Sequence, residues 1–108
     1  MSRAKLESLG GGRFRVSGVL DATTAGDLLQ QGAERFANQS RIEIDFAGVT
    51  ESDSSGLALL IEWMRIVKDA KGGIHFVNPP GQVSALARIS EVDDLLFPGT
   101  QTAAAPTA

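Results

Sequence analysis

Along the first twenty positions, hydrophobic and polar side chains alternate. In "RFRVSGVL" Phe14 and Val16 fall on one side and Arg13, Arg15 and Ser17 on the other. This period of two is that of a half-buried strand. "KLESL" alternates more weakly before it. Gly10, Gly11 and Gly12 lie between the two runs and supply the positive φ angles of a tight turn, so residues 4–20 read as a β-hairpin. Gly18, inside the second strand, marks a bulge or a close backbone approach. The period then lengthens. Ala25, Leu28, Leu29, Gly32 and Phe36 recur at helical spacing, in a helix that Thr23 or Thr24 caps and Asn38 and Ser40 end. "RIEIDF" returns to period two, with Ile42, Ile44 and Phe46 on one face and Arg41, Glu43 and Asp45 on the other. "AGVTESD" reads as a turn.

The stretch from Ser55 to Ala70 is the strongest helix. At about 100° per residue, Leu57, Leu60, Ile61, Met64 and Val67 form one stripe, taken as the core face. Leu59, Trp63 and Ile66 form a second apolar patch turned away from it. Either a neighbouring helix covers that patch, or Trp63 above all anchors a partner. Lys71, Gly72 and Gly73 stop the helix. "GIHFVN" is a short apolar strand in which His75 reads as mostly buried. Pro79, Pro80 and Gly81 turn the chain into a short helix with Val83, Leu86 and Ile89 inward, and "VDDLLF" closes the core. Residues 98–108, Pro98 to Ala108, are low in complexity and are expected to form a mobile tail beyond a domain of residues 1–97. The order β-β-α-β-α-β-α predicts an α/β fold: a small mixed, mostly parallel β-sheet with helices packed against it.

Composition narrows the functional classes. A chain of 108 residues holds one modest core. Ten Lys+Arg against 13 Asp+Glu give a net charge of −3, which argues against generic nucleic-acid binding and against docking on anionic lipid through charge alone. There is no cysteine, hence no disulfide, thiolate zinc site or Cys nucleophile. The stretch "MSRAKLESLGGG" lacks the apolar core of a signal peptide, and "GLALLI" is too short to cross a bilayer. A cytoplasmic location is expected.

Candidate chemistry concentrates in "VTESDSSGLALLIEW", Val49 to Trp63. A serine nucleophile needs a base and a group to orient it. The Gly-x-Ser-x-Gly elbow is absent around Ser54 and Ser55, and His75 stands alone as a candidate base. Ser2 and Lys5 match Ser-x-x-Lys only by chance, Asp93 and Asp94 read as a solvated pair, and no metal-ligand cluster or phosphate cradle stands out. No catalytic residue, metal or cofactor is expected. Asp53 or Ser54 caps the long helix. A further hydroxyl at that positive helix end can contact a partner. Phosphorylation, opposed by the adjacent Asp53 carboxylate, would break that contact.

"DFAGVTESDSSGLALL", with "VSGVLD" before it and "GGIHFVNPPGQVSALARISEVDDLL" after it, resembles the STAS domain over about residues 5–97. That family includes anti-sigma-factor antagonists, cytoplasmic domains of sulfate transporters and a small subunit of a bacterial phospholipid ABC transporter. The stretch "SGLALLIEW" is most similar to the transporter subunit. The resemblance implies a non-catalytic cytoplasmic protein that binds an ABC ATPase and, through it, the inner-membrane permease, touching neither lipid nor ATP. The complex maintains outer-membrane lipid asymmetry. The implied contact comprises Thr50, Asp53, Ser54, Ser55, Gly56, Leu57, Leu59 and Trp63. Ser54 takes the position that a kinase phosphorylates in the antagonists; the transporter subunits usually carry Thr there. The alternative implied by the family is therefore an anti-sigma-factor antagonist switched at Ser54.

Overall fold

The computed structural model describes residues 3–36 and 39–98. The hairpin forms as β1 (Ala4–Gly10) and β2 (Arg13–Leu20), followed by α1 (Ala22–Arg35), β3 (Arg41–Ser52), α2 (Ser54–Asp69), β4 (Gly73–Val77), α3 (Gly81–Ile89) and α4 (Asp93–Leu96). The sheet order is β1-β2-β3-β4, antiparallel between β1 and β2 and parallel across the other two pairs. Asn38 and the segment from residue 99 onward, read above as a helix stop and a tail, lie outside the described residues.

Alternation along the strands gives the sheet two unlike faces. Phe14, Ile44 and Phe76 stand side by side in one row and are buried. Arg13, Glu43 and His75 form the neighbouring row on the opposite, open face. The helices pack on the apolar face, where α1 and α2 also touch each other. The chain has five Phe, one Trp and no Tyr. All six rings join in one line through the core: Phe14–Phe36 at 5.1 Å, Phe36–Trp63 at 5.4 Å, Phe46–Trp63 at 6.5 Å, Phe46–Phe76 at 6.0 Å and Phe76–Phe97 at 6.4 Å between centroids. Tilted and edge-on contacts at these separations suit the ring quadrupoles.

Several local readings are corrected. The cap of α1 is Asp21, not Thr23 or Thr24. Its carboxylate accepts from the Thr24 N–H at 3.0 Å while the Thr24 hydroxyl accepts from the Asp21 N–H at 2.9 Å. Thr24 thus serves at the third helical position of a reciprocal capping box. The helix ends at Arg35, whose side chain donates to the Leu6 carbonyl at 3.0 Å. β3 runs on through "AGVTES" because the end of β2 continues to pair with it, with register shifts at Arg15/Ser17 and Gly18/Val19. Gly18 is the close approach: at φ +96°, an added Cβ would stand 2.0 Å from the Arg3 carbonyl oxygen. His75 is exposed, since period two puts it opposite the buried Phe76. In α3, Val83 and Ala87 point inward, Leu86 is half-buried, and Ile89 is 78% exposed.

The capping box makes a pH prediction. The Thr24 N–H has the largest effect on the Asp21 carboxyl; burial, next in size, opposes it, and the Arg3 guanidinium adds to it, so the carboxyl lies below its ordinary value. A carboxylate whose pKa falls on folding stabilises above its unfolded pKa of about 3.9, and the contribution is lost as pH drops through the folded value. Asp21→Ala is therefore expected to lower the melting temperature at pH 7 and to differ little from wild type near pH 2. Equal melting temperatures at pH 7 would remove Asp21 from the account of α1.

Candidate functional site at the start of α2

The site sits where β3 ends and α2 begins. Asp53, in extended conformation, is the N-cap, and its carboxylate accepts from the Ser55 N–H at 2.8 Å. This settles the cap on Asp53 rather than Ser54. The Asp53 N–H donates to the Leu20 carbonyl at 3.1 Å, tying the junction to the end of β2. The Asp53 carbonyl accepts from the Gly56 N–H at 3.1 Å and from the buried Ser52 hydroxyl at 3.0 Å. Gly56 is buried against Ser52, Val83 of α3 and Leu20. The helix start is therefore fixed by three elements and cannot shift without disturbing all of them.

On this rigid base the Ser54 side chain is exposed, and its hydroxyl has no hydrogen-bond partner among the described residues. Capping does not use it, so it is free to meet another molecule. Ser55 is half-buried beside it. Thr50 is exposed, and its hydroxyl donates weakly to the Gly18 carbonyl at 3.4 Å. Leu57 is half-buried and packs on the core. Glu51 and Asp53 are exposed acids at the same end. Arg3, the nearby cation, already pairs with Asp21.

Of the two readings of the Leu59, Trp63 and Ile66 patch, the structure shows the covered one, with α1 packed over Trp63, so that Trp63 is not an exposed anchor. Trp63 is 0% exposed and offers no surface to a partner, whereas Leu59, at 2%, reaches only the lining of a groove between α1 and α2. The face of α2 that packs inward carries Gly56, Leu59, Leu60, Trp63, Met64 and Val67, while Leu57 and Ile61 sit at its margin. The largest side chain settled the phase: Trp63 lies against Gly32 of α1, where a Cβ would come within 2.2 Å of the indole Nε1.

A contributor missed from the sequence lies on α1. Ala22, Ala25, Gly26 and Leu29 face Ser55, Ala58, Leu59 and Glu62 across a groove of about 250 Å³ that begins at the residue after Ser54. Its signal was the set of small residues at helical spacing in "ATTAGDLL", which keeps the two helices close yet leaves their outer seam shallow and apolar. His75 does not join the serines. It stands in the row of Arg13 and Glu43, whereas Ser52 pairs with Leu20 at the far end of β3. Among the described residues no group of three or more His, Asp or Glu side chains could hold a metal ion, and no helix is long and apolar enough to cross a membrane.

The mixed sheet with helices on one face agrees with the fold of the family that the sequence matches. The chain belongs to the STAS domain family: residues 7–98 match the family model described as "MlaB, STAS domain". Among solved structures it is similar to the anti-sigma factor antagonist SpoIIAA in its unphosphorylated form, at 20% identity over 87% of this chain and 85% of that one, with a TM-score of 0.67. It is also similar to the Bacillus cell fate determinant SpoIIAA in the phosphorylated form, at 19% identity over 87% of this chain and 88% of that one, with a TM-score of 0.65. At such identities the likeness is one of fold. No curated protein matches the chain.

Proposed function

We propose that the chain is a non-catalytic docking subunit of the MlaB type, which binds the MlaF-like ATPase of a phospholipid-transporting ABC complex. It would sit on the cytoplasmic side of the inner membrane through that ATPase and its permease. The observation that carries this reading is the exposed, unpartnered Ser54 hydroxyl on a helix start that Leu20, Ser52 and Val83 hold in place. The apolar groove beside it supports the reading, as does the description of the matched family. Such a surface suits a protein partner: it offers an exposed hydroxyl for hydrogen bonding beside a shallow apolar groove.

The test is affinity for the purified ATPase. A carboxylate at position 54 would be desolvated beside Asp53 while Arg3 stays paired with Asp21, and a buried unpaired charge at an interface costs about 2–5 kcal/mol. Ser54→Asp is expected to weaken binding at least about tenfold, and Ser54→Ala distinctly less, since it removes one neutral hydrogen bond. Wild-type affinity in both variants would end this reading.

The fold likeness to SpoIIAA, together with Ser rather than Thr at position 54, favours a second reading, a partner-switching antagonist released by phosphorylation. It requires a mass gain of one phosphate with the cognate kinase and ATP, absent in Ser54→Ala. Binding to an ATPase–permease complex without that gain would decide for the transporter.

A further inference from the structure

At the end of the sheet away from Ser54, Gly11, Gly12, Arg13, Arg41, Glu43 and His75 line a depression of about 250 Å³. Neighbouring strands bring them there: Arg13 on β2 pairs with Glu43 on β3, which pairs with His75 on β4, and Arg41 opens β3. The hairpin turn closes one side. Gly12 fits against the Arg41 carbonyl, which an added Cβ would approach to 2.3 Å, and the Gly12 carbonyl accepts from the Glu43 N–H at 3.0 Å. With φ of +62° and +81°, Gly11 and Gly12 leave their N–H groups without a partner among the described residues. Successive free amides in a turn favour anions. The lining carboxylate, Glu43, is held by Arg13 Nε at 3.4 Å, which leaves the Arg41 guanidinium and the exposed imidazole without a partner among the described residues. The balance is positive in a chain of net charge −3.

We infer that this depression binds an oxyanion of phosphate size, with Arg41, Arg13, His75 and the turn amides as donors. Arginine suits such a ligand because its planar fork meets two oxygens at once. Glu43 acts here as an internal competitor: it occupies Arg13 until the oxyanion displaces it. Removing Glu43 should therefore tighten binding, and saturation at the lining residues separates a site from a merely charged surface.

The experiment is an amide chemical-shift titration of the full chain with inorganic phosphate, at constant ionic strength set by chloride. Shifts are expected at Gly11, Gly12, Arg13, Arg41 and His75, saturating with a Kd of about 1–10 mM, the affinity of a few solvent-exposed charged hydrogen bonds. Arg41→Gln should weaken binding about three- to tenfold and Glu43→Gln should strengthen it. Both positions are on the open face, so folding is not at risk, and the rest of the spectrum verifies it. A second arm uses phosphatidylglycerol vesicles. Sedimentation with them that Arg41→Gln abolishes identifies the phosphate as one carried on a lipid headgroup, whereas saturation by free phosphate alone identifies a soluble source. Unsaturated shifts spread over the surface, or a Glu43→Gln variant that binds phosphate no more tightly, would overturn the inference.

Discussion

Trp63→Ala is expected to destabilise the protein by about 3–5 kcal/mol, the range for removing a large aromatic side chain from a core. The indole is fully buried between α1 and the sheet. It meets Phe36 edge-on at 5.4 Å and Phe46 at 6.5 Å, so its loss breaks the line of rings at the point where α1, α2 and β3 meet. Collapse into the void is restricted, because Gly32, which makes room for the ring, has no side chain to fill it. One term opposes: the buried Nε1–H has no partner among the described residues, and an unmet donor costs about 1–3 kcal/mol. Trp63→Phe removes that donor and keeps most of the apolar volume, so it should cost much less than alanine. Urea unfolding followed by circular dichroism measures both. A loss below about 1 kcal/mol for Trp63→Ala would mean that the packing of α1 on α2 rests elsewhere. A partner-binding defect in Trp63→Ala would come from a shifted groove, not from a lost contact.

That outcome bears on how far the sequence could be read. The strands were legible because one face of the sheet is bare, which keeps Arg13, Arg15, Glu43 and Asp45 in strict alternation with the core positions. The phase of α2 was not. Apolar residues occupy both sides of "GLALLIEWMRIV", so periodicity allowed two stripes, and only the contact of Trp63 with Gly32, about thirty positions away in the chain, chooses between them. The second half of β3 was hidden for a related reason. Its pairing with β2 slips twice, so Ala47 to Ser52 lose the alternation that marks a strand. At the site, the hydroxyls and the cap were legible because they are local in sequence. The groove was not, since half of it comes from Ala22, Ala25, Gly26 and Leu29 on another helix. The identity of the partner has no local signature at all: an exposed serine beside a cap serves an ATPase contact and a kinase target equally well.

Gly56 is where stability and recognition meet, and Gly56→Ala is expected to cost about 1–3 kcal/mol, the usual price of an overpacked core position. Helix propensity alone predicts the opposite, a gain of about 1 kcal/mol. Geometry decides between them. The new methyl would stand 2.2 Å from Ser52 Oγ and 3.0 Å from Val83 Cγ2. Ser52 Oγ cannot simply rotate away, because it donates to the Asp53 carbonyl at 3.0 Å and so holds the turn that presents Ser54. The strain should therefore be relieved in part by Ser52→Ala. In a double-mutant cycle the two substitutions together should cost less than their sum, with a coupling of about 0.5–3 kcal/mol. Partner affinity should not recover in step. The double variant regains stability but has lost the hydrogen bond that sets the Asp53–Ser54 backbone, so it should bind more weakly than wild type at equal folded fraction. Strict additivity of the two stability losses would mean that α2 moves away as a body and that Ser52 is not its stop. Full affinity in the double variant would mean that recognition does not depend on how tightly this helix start is held.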